Sequence, residues 1–200
     1  MVKTQRCTWC GTDTLYTRYH DEEWGVPLRD ADALFELLVM EGMQAGLSWI
    51  TILRKRKRFR ELMFNLVPSE LVKTDVSFID RLLLDSSIIR HRGKLEACVH
   101  NARNYLQMAD RQDIVDYLWA FTGGSPRINN WSNAGEVPAY TKESELMSRT
   151  LKKAGFKFVG PTICYAFMQS AGMVNDHLAE CYRHAACQSD DVKRALVIEA

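Results

Sequence analysis

Apolar residues in this chain recur with the spacing of helices, and that periodicity constrains the fold more than any other feature. Leu34, Phe35, Leu37 and Leu38 make one apolar face running toward Glu41, and Asp30 or Asp32 is placed to cap the helix that carries them. A second helix follows Gly46, with Ile50, Leu53 and Phe59 inward and Arg54, Lys55, Arg56, Lys57, Arg58 and Arg60 largely outward. Gly42 and Gly46 interrupt the pattern between the two and suggest a bend. Pro68 opens a short helix, and residues 75–84, 93–108, 113–121, 141–154 and 162–171 read as further helices. Strand-like alternation rich in Val, Ile and Thr is scarce, so the expected fold class is all-α. The organisation expected is one unit of two helical lobes over residues 1–200, with 122–138 as the long loop and 183–200 as a variable tail.

A chain of 200 residues, 46% of them hydrophobic, can bury a sizeable core. No segment approaches the roughly 18 uninterrupted apolar residues of a membrane span. The opening residues, Met1 to Arg6, carry no apolar stretch of a signal peptide, so a cytoplasmic protein without membrane contact is expected. A formal net charge of only +1 gives no general nucleic-acid signal; any basic surface has to come from local clustering, such as Lys55 to Arg60. That run reads either as a solvated helix face or as a phosphate contact.

Six cysteines in a reducing compartment are metal ligands, reactive groups or buried thiols before they are disulfides. His177 and Cys181, four apart on an apparent helix, project from one face and supply half of a tetrahedral site. Cys7 and His20, near the other end of the chain, complete a Cys2His2 set that would clamp the termini and leave no open coordination position. Rival sets exist in the Cys7–Cys10 pair and in His184 with Cys187, and each residue alone also reads as a core thiol or a satisfied histidine.

Trp9, Tyr16, Tyr19, Trp24 and Trp49 place five large aromatics in the first fifty residues, as core or as a base-stacking pocket. Glu41 lies in an otherwise apolar helical stretch, where a charge is costly unless it is paired or used. A carboxylate among such rings suits a cationic purine, which the rings attract and whose exocyclic amine the carboxylate accepts. The bland alternative is an arginine partner or a solvated position. After Gly155, the turn Phe156-Lys157-Phe158-Val159-Gly160-Pro161-Thr162 joins two helical patterns and can present backbone N–H groups of the second helix to a phosphate.

Together these segments resemble a known family. Cys7-Thr8-Trp9, the run Leu15 to Pro27 containing Tyr16, Tyr19, His20 and Trp24, Glu41-Gly42, Gln44 to Ile50, Ile89 to Lys94, Gly155 to Gly160 and Val174 to His177 are similar to the bacterial 3-methyladenine DNA glycosylase I family. The likeness spans about residues 6–182. It implies the helix-hairpin-helix glycosylase fold and one structural zinc held by Cys7, His20, His177 and Cys181. It further implies a base pocket of Glu41, Tyr16, Tyr19, Trp49 and, more peripherally, Trp9, together with backbone grip at Lys157, Gly160 and Thr162. The chain departs from the pattern at Met43, where glutamine is expected, and in the tail after Cys181.

The expected activity is hydrolysis of the N-glycosidic bond of 3-methyladenine in alkylated double-stranded DNA, by a monomer and without strand cleavage. Asp176 is the only nearby counterpart of the aspartate that superfamily relatives carry after the hairpin, and it is expected to be structural rather than catalytic. The alternative from another class is a non-catalytic, zinc-stapled DNA-binding module.

Overall fold

The computed structural model describes residues 5–188, and the last part of the expected tail, residues 189–200, lies outside them. Asp13 opens α1 (Thr14–Glu22) by accepting from the Tyr16 amide, and Asp30, not Asp32, caps α2 (Ala31–Gln44) by accepting from the Ala33 amide at 2.8 Å. The central α2 buries Leu34, Phe35, Leu37, Leu38, Val39 and Met40, so it is apolar on nearly every side. α3 (Trp49–Leu62) turns Trp49, Ile52, Leu53, Arg56 and Phe59 inward. Ile50 is only half-buried, and Arg56, expected outside, is buried in a two-point pair with buried Glu23 at 2.8 Å for each bond. A helix face offset by one residue accounts for both differences: the Glu23 partner makes an inward arginine tolerable.

Short helices α4 (Pro68–Leu71) and α5 (Phe78–Leu84) lead to the long α6 (Arg92–Ala109), then α7 (Ile114–Trp119), α8 (Lys142–Lys153), α9 (Pro161–Ser170) and α10 (Tyr182–Ala186). The loop between α7 and α8 contributes a two-residue strand, β1 (Arg127–Ile128), which pairs in parallel with β2 (Val174–Asn175). The fold is otherwise all-α. α9 packs against both α8 and α2, and the buried apolar side chains form one continuous core.

Gly42 does not bend the chain. Helix α2 runs through it to Gln44, and a Cβ at Gly42 would lie 3.3 Å from both the Cβ and the carbonyl oxygen of Phe158. The glycine thus serves a close approach between α2 and the turn joining α8 to α9, whereas Gly46, at φ +78, is the residue that makes the turn.

Candidate base pocket and metal centre

Helix α1 places Tyr16 and Tyr19 on the pocket side and His20 one residue further round, where it meets a second group of residues from the far end of the chain. Cys7, His20, His177 and Cys181 are all buried, and their ligand atoms all lie within 4.8 Å of one another. Cys181 Sγ stands 3.4 Å from His20 Nε2 and 3.5 Å from His177 Nδ1, and Cys7 Sγ stands 3.6 Å from His177 Nδ1. Bonds of about 2.0–2.3 Å to a central zinc would span tetrahedron edges of roughly 3.3–3.8 Å, so the donor set fits that ion.

The outer partners complete the case. His20 Nδ1 donates to Asp21 at 2.8 Å and His177 Nε2 donates to the Trp24 carbonyl at 3.0 Å, which turns the remaining ring nitrogens toward the centre. The hydrogen bond between the two sulfurs pushes the Cys7 thiol up and draws Cys181 down toward thiolate, and burial holds His177 below the usual histidine range. With four protein ligands, this is a structural zinc site that fastens the two ends of the fold.

His177 and Cys181 do not share a helix face, as their spacing had suggested. His177 follows β2, Cys181 is the residue before α10, and a turn closed by the Cys181 amide on the Leu178 carbonyl brings them together. The rival ligand sets are committed elsewhere. Cys10 Sγ donates to the Cys7 carbonyl, and His184 Nε2 bonds the Asn129 carbonyl, so each rival pair has lost one ligand.

Beside this centre lies a cavity of about 410 Å³. Trp9, Tyr16, Tyr19, Trp24, Trp49 and Glu41 all line it, so the structure brings together every aromatic and acidic residue singled out in the sequence. Trp9 packs against Tyr16 at 5.0 Å and Trp24 at 4.9 Å between ring centres, and Tyr19 lies 5.5 Å from Trp49. Two of these rings also touch the metal ligands, Trp9 on His20 and Trp24 on His177. The metal site therefore holds one wall of the pocket.

Glu41 is only 1% exposed. One of its oxygens accepts from Ser170 Oγ at 2.6 Å, Ser170 in turn accepts from the Tyr19 hydroxyl at 3.1 Å, and the other oxygen has no hydrogen-bond partner among the described residues. Burial pushes the Glu41 carboxyl up to about 8, only partly opposed by the Ser170 bond. Asp176 lines the same cavity, yet both its oxygens are taken: Asn129 and Trp131 donate to one at 2.7 Å each, and Tyr165 at 2.6 Å and Gln169 at 2.8 Å donate to the other.

Ser170, Gln44, Gln169 and Tyr165 are cavity residues that the sequence reading missed. Ser170 carried a usable signal, a hydroxyl in the apolar end of α9, of the same kind that drew attention to Glu41. Met43 is buried in the core and does not line the cavity; the neighbouring Gln44 does, so the departure from glutamine at 43 leaves the cavity wall unchanged.

The turn between α8 and α9 is tightly built, with Gly155 at φ +91, Phe158 in the left-handed region at φ 57, Gly160 before the helix and Pro161 in its first turn. Lys157 and Thr162 are exposed on it, and Thr162 also lines the cavity, which puts the turn at the cavity's edge. Most of the basic run of α3 is paired within the chain, while Lys57 is exposed. Arg54 pairs with Asp13, Arg58 with Glu61 and Asp85, Arg60 with Glu36, and Lys55 donates to the carbonyls of Ser86 and Ser87.

A helical domain stapled at its termini, with a glycine turn beside an aromatic and acidic cavity, defines a class: a helix-hairpin-helix DNA glycosylase. The comparisons narrow it. Residues 9–184 match the methyladenine glycosylase family model, and the chain belongs to that family. It is 47% identical over 178 residues to DNA-3-methyladenine glycosylase 1 of Escherichia coli (strain K12), covering 88% of this chain and 95% of that one. It is 46% identical over 179 residues to DNA-3-methyladenine glycosylase of Haemophilus influenzae (strain ATCC 51907 / DSM 11121 / KW20 / Rd), covering 89% and 97%. Among solved structures, a crystal structure of 3-methyladenine DNA glycosylase I superposes with a TM-score of 0.87 at 45% identity, covering 89% of this chain and 98% of that chain. The Staphylococcus aureus enzyme, solved to explain its recognition of 3-methyladenine, superposes with a TM-score of 0.86 at 35% identity, covering 90% and 96%.

Proposed function

We infer that this protein is a DNA-3-methyladenine glycosylase, which hydrolyses the N-glycosidic bond of 3-methyladenine in alkylated double-stranded DNA. The observation that carries the reading is the Glu41 carboxyl, buried among aromatic rings in a cavity of about 410 Å³ with one oxygen unpartnered among the described residues. A buried carboxylate without a counter-charge is costly, and a flipped cationic base supplies that charge.

Selection follows from the same cost. With its carboxyl raised to about 8, the free site holds a proton through neutral pH. A cationic ring stacked on Trp49 favours the carboxylate, and Glu41 then accepts from the exocyclic amine while Tyr16, Tyr19 and Trp9 enclose the ring. Neutral adenine brings no charge to offset the buried carboxylate and gains much less. Methylation at N3 has already made the base a good leaving group, so selective binding of the cationic, bond-breaking state is most of the catalysis required. The C1′–N9 bond breaks, the base leaves neutral with the bonding pair, and water adds to C1′ of the oxocarbenium-like sugar, losing a proton to solvent.

Grip on the backbone is assigned to Lys157, Gly160 and Thr162, where α9 begins with amides that have no helical acceptor. No lysine lines the cavity among the described residues, which supports a monofunctional hydrolase without a Schiff-base intermediate. The zinc held by Cys7, His20, His177 and Cys181 supplies no chemistry to the reaction; it fixes the wall carrying Trp9 and Trp24. All six cysteines are buried and outside any disulfide, and no helix among the described residues is long and apolar enough to cross a membrane. We read the protein as a cytoplasmic monomer.

The test is incubation with methylated duplex DNA and chromatography of the released bases. Release of 3-methyladenine with little 7-methylguanine and no borohydride-trapped DNA adduct is expected. A folded, zinc-loaded protein that binds DNA but releases nothing would leave a DNA-binding module as the function.

A further inference from the structure

The buried cation of Lys94 has no part in the chemistry above. Its side chain is 7% exposed, and its ammonium donates to the carbonyls of Met43 at 2.8 Å and Ala45 at 2.5 Å. These carbonyls end α2, where unpaired acceptors and the negative end of the helix dipole favour a cation. They flank Gln44, which lines the cavity, and Met43 is two residues from Glu41.

Two helical turns along the same face of α6, Asn101 is 4% exposed and clamps the turn between α8 and α9. Its Nδ2 donates to the Lys157 carbonyl at 2.9 Å, and its Oδ1 accepts from the Lys157 amide at 2.8 Å. His100 bonds the Gly155 carbonyl at 2.8 Å, and a Cβ on Gly155 would stand 2.9 Å from Asn104 Nδ2. The third side of the frame is the contact of Gly42 with Phe158, a bulky residue held in the left-handed region, which surrounding contacts must enforce.

We propose that α6 is the strut that sets the separation between the backbone grip and the base pocket, with Lys94 and Asn101 as its positioning residues. Lys94 fixes the end of the helix bearing Glu41; Asn101 fixes the turn bearing Lys157. A base bound in the pocket reacts in DNA only if its phosphates sit at one distance from that pocket, so loosening either end slows excision without emptying the pocket. This rests on the glycosylase reading.

The experiment compares wild type, Lys94→Met and Asn101→Leu in two assays: single-turnover release of 3-methyladenine from methylated duplex, and binding of the free base followed by tryptophan fluorescence. A misplacement of about 1 Å costs as much as about a hundredfold in rate, so the variants are expected to lose roughly ten- to a hundredfold in the release step. Duplex KM and free-base Kd should stay within about threefold of wild type, since the variants leave the pocket lining intact. Equal losses in free-base binding and release, or no loss in either, would overturn the strut. Should Lys94→Met not fold, Asn101→Leu decides alone. Wild type that binds free base but releases none from DNA refutes the glycosylase reading instead.

Discussion

Two carboxylates line one cavity, and their surroundings divide them. Asp176 accepts four hydrogen bonds, from Asn129, Trp131, Tyr165 and Gln169, so its lone pairs are spent joining the loop before α8, helix α9 and the strand that leads to His177. Among the described residues Glu41 accepts one, from Ser170, and keeps an oxygen without a partner. A saturated carboxylate is a fastening; a buried, unsaturated one among aromatic rings is a place for a ligand. Position in the cavity alone would have ranked them equal.

The sharpest way to break this contrast is to neutralise each acid in turn. Glu41→Gln should reduce 3-methyladenine release by about 100- to 1000-fold, as expected when one partner of a desolvated charge pair is lost, while duplex binding stays within about twofold. Release near wild-type levels in this variant would remove Glu41 from recognition. Asp176→Asn turns a four-fold acceptor into a group with two donors facing donors, and should cost roughly 2–3 kcal/mol of stability, a fall of about 4–12 °C in Tm. Measured below that Tm, its base release should remain within about threefold of wild type. A folded Asp176→Asn protein with a hundredfold loss of release would instead give Asp176 a share in the reaction.

Smaller changes refine the account of Glu41. Ser170→Ala removes the bond that favours the charged form and also one acceptor of the Tyr19 hydroxyl; base release near neutral pH should fall by roughly three- to tenfold, recovering in part as pH is raised. The smallest effect is on the free protein. A carboxyl raised to about 8 in the fold contributes stability that is fully present below the ordinary carboxylate range and is lost as pH rises through about 8. The Tm advantage of Glu41→Gln over wild type should therefore grow by a few degrees between about pH 5 and about pH 9. A constant difference across that range would mean that Glu41 is not the buried acid described.

Much was legible beforehand because helical periodicity is local. The apolar face of α2, the proline start of α4 and the long amphipathic α6 follow from spacing that needs no tertiary contact to be recognised. Glu41 stood out because a charge in an apolar run demands an explanation, and the seven segments that resemble the glycosylase family named the pocket and the zinc ligands together. The same local logic misled where long-range contacts intervene. Arg56 was read as outward because its partner Glu23 is 33 residues away. Gly42 was read as a bend because Phe158, which needs the space, lies on another helix turn. His177 and Cys181 were placed on one helical face, whereas a turn after β2 brings them together.

Sequence by itself determined the helical class, the unusual acid at Glu41 and the residue types of a four-ligand metal site, because each depends on chemistry carried by one residue or its near neighbours. Tertiary structure decided which acid is free and which is saturated, that most of the basic run of α3 is paired within the chain, and that Lys94 and Asn101 tie the end of α2 and the turn before α9 to α6. Those outcomes depend on partners distant in sequence, and burial and hydrogen-bond satisfaction exist only once the chain has folded.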